Sequence, residues 1–351
     1  MKLTIDNLLM EAQQRKASDL HLTVGISPKC RVNGELVDMG YGPLSPEDTK
    51  EIILPIVPQR LAELLNTNGE VDFSYAIPNV GRFRVNVFKQ RGSYALVIRI
   101  INTSIPRPEM LGLPPSVVEL TKKKRGLVLV TGPTGSGKST TLASLLDIIN
   151  TYYNSHIITL EDPIEYLHKH KRSIVNQREI GTDSLSFANA LRVVLREDPD
   201  VILVGEMRDF ETIEVAITAA ETGHLVFSTL HTLGAVSTID RIIDVFPPHQ
   251  QQQVRVQLSS VLEGVISQQL IPTADGMGRA AAFEVMLPNP AIRSLIREGK
   301  NHQIASFIQT NRKLGMQMMD DAIYELFLKG AVSREQALAF SQDLATMEKK
   351  V

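Results

Sequence analysis

The chain has 351 residues, 43% hydrophobic and 22% charged, with a net charge of −2 and a pI near 6.5. This composition is ordinary for a globular protein of roughly two domains, at about 150 residues each, and gives no global electrostatic reason to expect nucleic acid as the main partner. The single cysteine, Cys30, excludes an intramolecular disulfide and a multi-cysteine zinc module, and neither a signal-peptide core nor a bilayer-length apolar run of roughly 20 residues is present, so a cytoplasmic protein is expected.

Residues 1–101 predict a small mixed domain. A helix near 4–16 precedes the short alternating strand "DLHLTV". In "PKCRVNGELVDM", Asn33-Gly34 between extended runs signals a two-residue hairpin. A helical stretch near 46–66 follows. Two more extended runs, "GRFRVNVFKQ" and "YALVIRII", are separated by Arg91-Gly92-Ser93. Arg82, Arg84 and Arg99 alternate along these runs with Phe83, Val85 and Ile98, which suits a solvent-facing stripe. Residues 102–116, "NTSIPRPEMLGLPPS", contain four prolines and predict a semi-rigid linker.

From 117 to 286 the pattern becomes alternating strands and helices. "GLVLV", "HIITL", "VILVG" and "LVFSTL" are short, nearly all-apolar runs, as strands buried on both faces of a parallel sheet are. Directly after the first comes "GPTGSGKST": Gly132, Pro133, Thr134, Gly135, Ser136, Gly137, Lys138, Ser139 and Thr140. It matches G-x-x-x-x-G-K-[ST], whose glycines let backbone N–H groups curl around phosphate. In that pattern Lys138 reaches the β- and γ-phosphates and the Ser139 hydroxyl ligates magnesium. By chance the four fixed positions coincide in a chain this long on the order of one time in a hundred.

The second run ends in "LEDPIEYLH", offering Glu161, Asp162 and Glu165 at a strand's carboxyl end, where ligands of parallel sheets bind. The same residues fit a helix start, with Asp162 as N-cap, Pro163 at N1 and Glu165 closing a capping box. Both readings stand on sequence. In "DPDVILVGEMRDFET", Gly205 occupies a place where many phosphate-loop motors carry a carboxylate, and Glu206 remains as the metal-site candidate, or as a surface partner of Arg208 or Arg178. Glu165 is the nearest supply of the missing carboxylate. His224 and His231 flank the fourth run as γ-phosphate sensors or as structural residues, and no further ligand spacing supports zinc. Residues 287–351 predict short capped helices, among them "NPAIRSLIREG", with Asn289 as N-cap, Pro290 at N1, Gly299 after the end and an Ile292, Leu295, Ile296 stripe.

Taken together, "GPTGSGKST", "LEDPIEY", "REDPDVILVGEMRDFET" and "GHLVFSTLHT" resemble the Walker A, aspartate, Walker B and histidine boxes of the secretion ATPase superfamily. With "KASDLHL", "GRFRVN" and "NPAIRSLIREGK", the chain resembles more narrowly the PilT family of type IV pilus retraction ATPases, along almost its whole length. The last stretch is similar to an AIRNLIRE motif associated with retraction, with Ser294 in place of the usual Asn.

The resemblance implies a PAS-like α+β N-terminal domain, a RecA-like α/β core and a helical C-terminal tail. It implies ATP and Mg2+ as cofactors, with Glu206 on magnesium, Glu165 on the attacking water, Glu161 nearby and His224 and His231 as the histidine-box pair. It also implies a homohexamer in which Arg82, Arg84 or Arg99 contacts phosphate, and an inner-membrane platform protein as partner, with peripheral membrane association through it. A PilT-like paralogue is a further candidate partner. An accessory paralogue's role, a pilus-assembly or type II secretion ATPase, a DNA-translocating RecA-like ATPase and a nucleotide-gated binder without turnover are the competing readings. One cysteine and a start close to "ASDLHL" count against the assembly class, and the intact Lys138, Ser139, Glu165 and Glu206 count against a binder without turnover.

Overall fold

A computed structural model describes residues 3–78, 80–101 and 104–351. The chain divides into two compact units, Met1–Ser104 with Glu165–Leu167, and Ile105–Ile164 with His168–Val351. The expected linker begins on residues 102 and 103, which lie outside the described residues.

In the first unit, α1 (Ile5–Gln14) is followed by β1 (Asp19–Leu22), β2 (Lys29–Val32), β3 (Glu35–Asp38), α2 (Pro46–Ile53), α3 (Gln59–Asn68), β4 (Glu70–Ile77), β5 (Gly81–Gln90) and β6 (Ser93–Ile100). The strands form one sheet in the order β3-β2-β1-β6-β5-β4, antiparallel throughout. Asn33 and Gly34 both have positive φ, as do Arg91 and Gly92, so each pair makes the tight hairpin turn that matches strand twist. The single helical stretch expected near 46–66 is in fact two helices. Pro55 and Pro58 lie between them and cannot donate to a continuing helix. Strand β4 was not foreseen, although Val71 and Phe73 alternate inward along it. The core packs Ile5, Leu8 and Leu9 of α1 with Leu20, Phe83, Val85 and Ile98 of the sheet.

The second unit holds α4 (Pro115–Glu119), β7 (Gly126–Thr131), α5 (Lys138–Tyr152), β8 (His156–Glu161), β9 (Ile174–Glu179), α6 (Phe187–Val194), β10 (Val201–Val204), α7 (Phe210–Glu221), β11 (Leu225–Leu230), α8 (Ala235–Asp244), α9 (Pro248–Val261), β12 (Leu262–Pro272) and β13 (Arg279–Met286). Its sheet runs β13-β12-β7-β11-β10-β8-β9. All neighbours are parallel except β12 with β13. Side-chain alternation divides the apolar runs between two cores. Leu127, Leu129, Ile158, Leu160, Ile202 and Val204 face one; Val128, Val130, Ile157, Val201, Leu203 and Phe227 face the other. This two-faced burial is why these strands read as unbroken apolar runs. Leu113, within the expected linker, is buried in the second of these cores.

After β13 come α10 (Pro290–Glu298), α11 (Ile304–Thr310), α12 (Met319–Leu328), α13 (Arg334–Phe340) and α14 (Leu344–Glu348). Asn289 caps α10, its Oδ1 accepting from Ile292 N–H at 2.9 Å, and Gly299 ends it in the left-handed region. Ile292, Leu295 and Ile296 join the core of the second unit, so this tail shares that core.

Candidate active site

Strand β7 delivers the chain to the loop 132–137, and α5 starts at Lys138. Gly132 (φ 141°), Gly135 (φ 80°) and Gly137 (φ 88°) occupy backbone regions that favour glycine. Close approach makes two of them obligatory. A Cβ on Gly132 would lie 2.2 Å from the Gln268 carbonyl oxygen and 2.8 Å from Ser136 Oγ, and one on Gly137 would lie 2.9 Å from Gln268 Nε2. Gln268, on neighbouring β12, is buried and its Oε1 accepts from Thr141 Oγ1 at 2.7 Å. It thus braces both the loop and the first turns of α5. Sequence reasoning missed it, because a glutamine within a strand carries no motif.

The donor set suits a polyphosphate. Lys138 is buried and its Nζ donates to the carbonyls of Gly132 (2.9 Å) and Pro133 (3.0 Å), curling the ammonium over the loop. Ser136 is 3% exposed, and among the described residues its Oγ has no hydrogen-bond partner. No side chain caps α5, so its first amides are available to an anion at the positive end of the helix. Pro133, Thr134 and Gly135 form the exposed outer lip, while Ser139 and Thr140 lie half-buried in the first turn of α5. Ammonium, hydroxyl and amide N–H groups, with no carboxylate in the loop, fit the β- and γ-phosphates of a nucleotide.

The acidic residues come from neighbouring strands. Val204, Ser228 and Leu129 lie in one row across β10, β11 and β7. Glu206, two residues beyond that row, is therefore level with Thr131 at the end of β7, about 10 Å away across two strand spacings. Its carboxylate is 22% exposed, with Oε1 2.8 Å from Arg208 Nε and Oε2 3.5 Å from His231 Nε2. Arg178, the other partner the sequence offers, pairs instead with Glu197 at 3.0 Å. Gly205 has a packing reason: its N–H donates to Leu160 O at 2.7 Å, and a Cβ there would lie 3.1 Å from that same oxygen and 3.4 Å from Glu161 Cα. Among the described residues no group of three or more His, Cys, Asp or Glu forms a ready-made metal cage. A magnesium ion held by Ser139 and Glu206 would need substrate oxygens and water to complete its shell, as that ion ordinarily does.

Glu161 ends β8 and its Oε1 accepts from Thr159 Oγ1 at 2.6 Å and Gln177 Nε2 at 3.0 Å. The helix expected to start at Asp162 does not form. The Asp162–Pro163 bond is cis, residues 162–165 are non-helical, and Glu165 is exposed. Ile164 N–H, which would be at N2 of that helix, donates instead to Glu179 Oε2 at 3.2 Å. With that helix gone, the capping account of Asp162 and Glu165 goes too. Glu165 belongs to the first unit.

The two histidines part company. His231 follows the carboxyl end of β11, beside Glu206. His224 precedes the strand's first residue, about 20 Å away at the strand's rise per residue. There its carbonyl accepts from Gly126 N–H, at the start of β7 (3.0 Å), and its Nδ1 sits 2.9 Å from Ala219 O at the end of α7. His224 thus lies at the amino end of β11, away from this chain's phosphate loop. Arg82, Arg84 and Arg99 all lie in the first unit. Arg84 and Arg99 face each other across β5 and β6, Arg84 is exposed, and Arg99, 70% exposed, pairs with Asp19 at 3.1 Å.

Known proteins share this arrangement. A sequence model described as type II/IV secretion system protein matches residues 65–277. A Pseudomonas aeruginosa type IV pilus retractation ATPase, PilT, is 49% identical over 335 residues, 95% of this chain and 97% of that protein. The type IV pilus ATPase PilU of the same organism is 42% identical, over 96% of this chain and 88% of its own. The crystal structure of the pilus retraction motor PilT with bound ADP superposes with a TM-score of 0.92 at 51% identity, covering 99% of both chains. The fold is accordingly a RecA-like phosphate-loop core with a smaller PAS-like α+β unit and a helical C-terminal tail. The chain belongs to the type II/IV secretion system protein family, within its PilT-like nucleotide-binding ATPases.

Proposed function

We propose that this protein is a hexameric motor that hydrolyses ATP to ADP and phosphate and drives type IV pilus retraction. The observation that carries the reading is the buried Lys138, folded over a glycine loop that Gln268 keeps free of side chains, with Glu206 and His231 on the adjoining strand ends. The loop amides and Lys138 bind and orient the phosphates. His231, beside Glu206, is placed to sense the γ-phosphate. Glu165, exposed and without a capping duty, orients the attacking water and takes up its proton. Ser139 and Glu206 would hold magnesium, which would supply neutralisation of the charge that develops on the phosphates. Arg82, Arg84 and Arg99 reach a neighbouring protomer's nucleotide, Glu161 supports the acidic edge, and the strokes act on an inner-membrane platform protein, which holds the cytoplasmic ring at the pilus base. No helix among the described residues is long and apolar enough to cross a membrane, in keeping with attachment through that partner.

The direction of the work is tested in a piliated host lacking this gene and complemented with wild type or Lys138→Ala. Retraction predicts abundant pili and lost twitching with Lys138→Ala. Bald cells would indicate an assembly motor instead, and unchanged twitching an accessory paralogue.

A further inference from the structure

Strand β9 is the edge of the second sheet, and its register against β8 sets Gln177 opposite Thr159 and Glu179 opposite Glu161. Residues two apart on a strand share a face, so these four side chains lie together at the carboxyl edge. Three of them, Thr159, Glu161 and Gln177, are joined by hydrogen bonds. Thr159 Oγ1 and Gln177 Nε2 both donate to Glu161 Oε1, at 2.6 and 3.0 Å. The two β9 side chains also meet the backbone. Gln177 Oε1 accepts from His168 N–H at 2.8 Å, and Glu179 Oε2 accepts from Ile164 N–H at 3.2 Å. Only residues 165–167 lie between these two held amides. Downstream, buried Asn150 of α5 fixes the exit, its Nδ2 donating to Lys169 O at 2.7 Å and its Oδ1 accepting from Lys171 N–H at 3.1 Å.

We propose that Gln177 and Glu179 are positioning residues of the hydrolysis site: they grip the backbone on either side of Glu165 and so fix where its carboxylate meets the attacking water. The proposal rests on the water-orienting reading of Glu165. Side-chain acceptors on buried or half-buried amides are a rigid way to hold three residues, because releasing either leaves a backbone donor without its partner. The same bracket ties the placement of Glu165 to Glu161, which supplies the anchor for Gln177.

Steady-state ATPase of the full-length protein and fluorescent-ADP affinity, measured for Gln177→Ala, Glu179→Ala, Glu179→Gln, Glu165→Gln and Gln177→Ala/Glu165→Gln, test this. A misplaced catalytic group lowers turnover on the order of 10–100-fold. Gln177→Ala and Glu179→Ala are expected to lose kcat on that scale, with KM for ATP and affinity for ADP held within about threefold of wild type. Glu179→Gln keeps an acceptor for Ile164 N–H and restores most of the kcat lost in Glu179→Ala. In the Glu165→Gln background, Gln177→Ala produces no further loss, since coupled residues do not add. Gln177 is half-buried, so its variants carry the test even if the buried Glu179→Ala does not fold. Wild-type turnover in Glu165→Gln overturns the reading of Glu165 and the bracket with it. A severe Glu165→Gln defect that Gln177→Ala multiplies by its full single-variant factor, or a Gln177→Ala loss seen mainly in KM, overturns the bracket alone.

Discussion

A single methyl group separates a working phosphate loop from a blocked one in this protein. At Gly132 a Cβ would meet backbone, the Gln268 carbonyl at 2.2 Å, and a strand carbonyl cannot swing away as a side-chain tip can. Gly132→Ala is therefore expected to abolish nucleotide binding in a fluorescent-ADP titration, while Gly135→Ala, with nothing within 4 Å, suffers only the cost of its positive φ, roughly 1–2 kcal/mol. Gly205 teaches the same lesson. Gly205→Asp, which restores the carboxylate found in other phosphate-loop motors, is expected to lower stability by about 1–3 kcal/mol and turnover with it. Thermal melts and ATPase rates would check this, and a gain in kcat would contradict it. The loop and Glu206 were legible in the sequence because their spacing is set by phosphate chemistry. Gln268 was not, because its contacts reach the loop from a strand far along the chain, and no local pattern records such a contact. The separation of His224 from His231 was hidden for a related reason: sequence shows that two histidines flank a strand, while the strand's length sets them at opposite ends of it.

At the scale of elements, the parallel strands were legible and the edge was not. β7, β8, β10 and β11 are buried on both faces and read as apolar runs, whereas β9 alternates exposed and buried residues with charges among them. At 162–165 the local helix signal is not followed, and Ile164 N–H donates to the Glu179 carboxylate of the edge strand instead. The segment that follows carries its own pH dependence. Burial, opposed by Asp147 and reinforced by Lys171, pushes His168 from 6.5 down to about 4. Between these values the unfolded imidazole takes a proton that the folded one refuses. Its contribution is therefore complete above pH 6.5 and is lost as pH falls toward 4, by up to about 3 kcal/mol. Urea melts at pH 7.5 and 5 should show wild type losing more stability than His168→Gln over that interval, whereas equal losses would place the acid sensitivity elsewhere. Asn150, fully buried against the same segment, should cost about 2–3 kcal/mol as Asn150→Ala, because Lys171 N–H and Lys169 C=O both lose a partner.

At the scale of the whole molecule, the proposed hexamer would bring arginines of one protomer to the nucleotide of its neighbour. Arg84 and Arg99 lie largely exposed in the first unit, and the cradle lies wholly in the second. If they serve a neighbouring protomer, mixing Lys138→Ala subunits with Arg84→Ala/Arg99→Ala subunits should restore part of the ATPase activity that neither homogeneous ring has. No recovery would mean that the arginines act within their own chain or not at all. The proposed site divides its acidic chemistry between Glu206, two residues beyond β10, and Glu165, beyond β8. That division is tested most directly by kcat for Glu165→Gln and Glu206→Gln beside wild type, with fluorescent-ADP affinity measured on the same preparations. The account predicts turnover reduced at least about 100-fold in both, with ADP affinity without magnesium unchanged in Glu165→Gln. Wild-type turnover in either variant would contradict it.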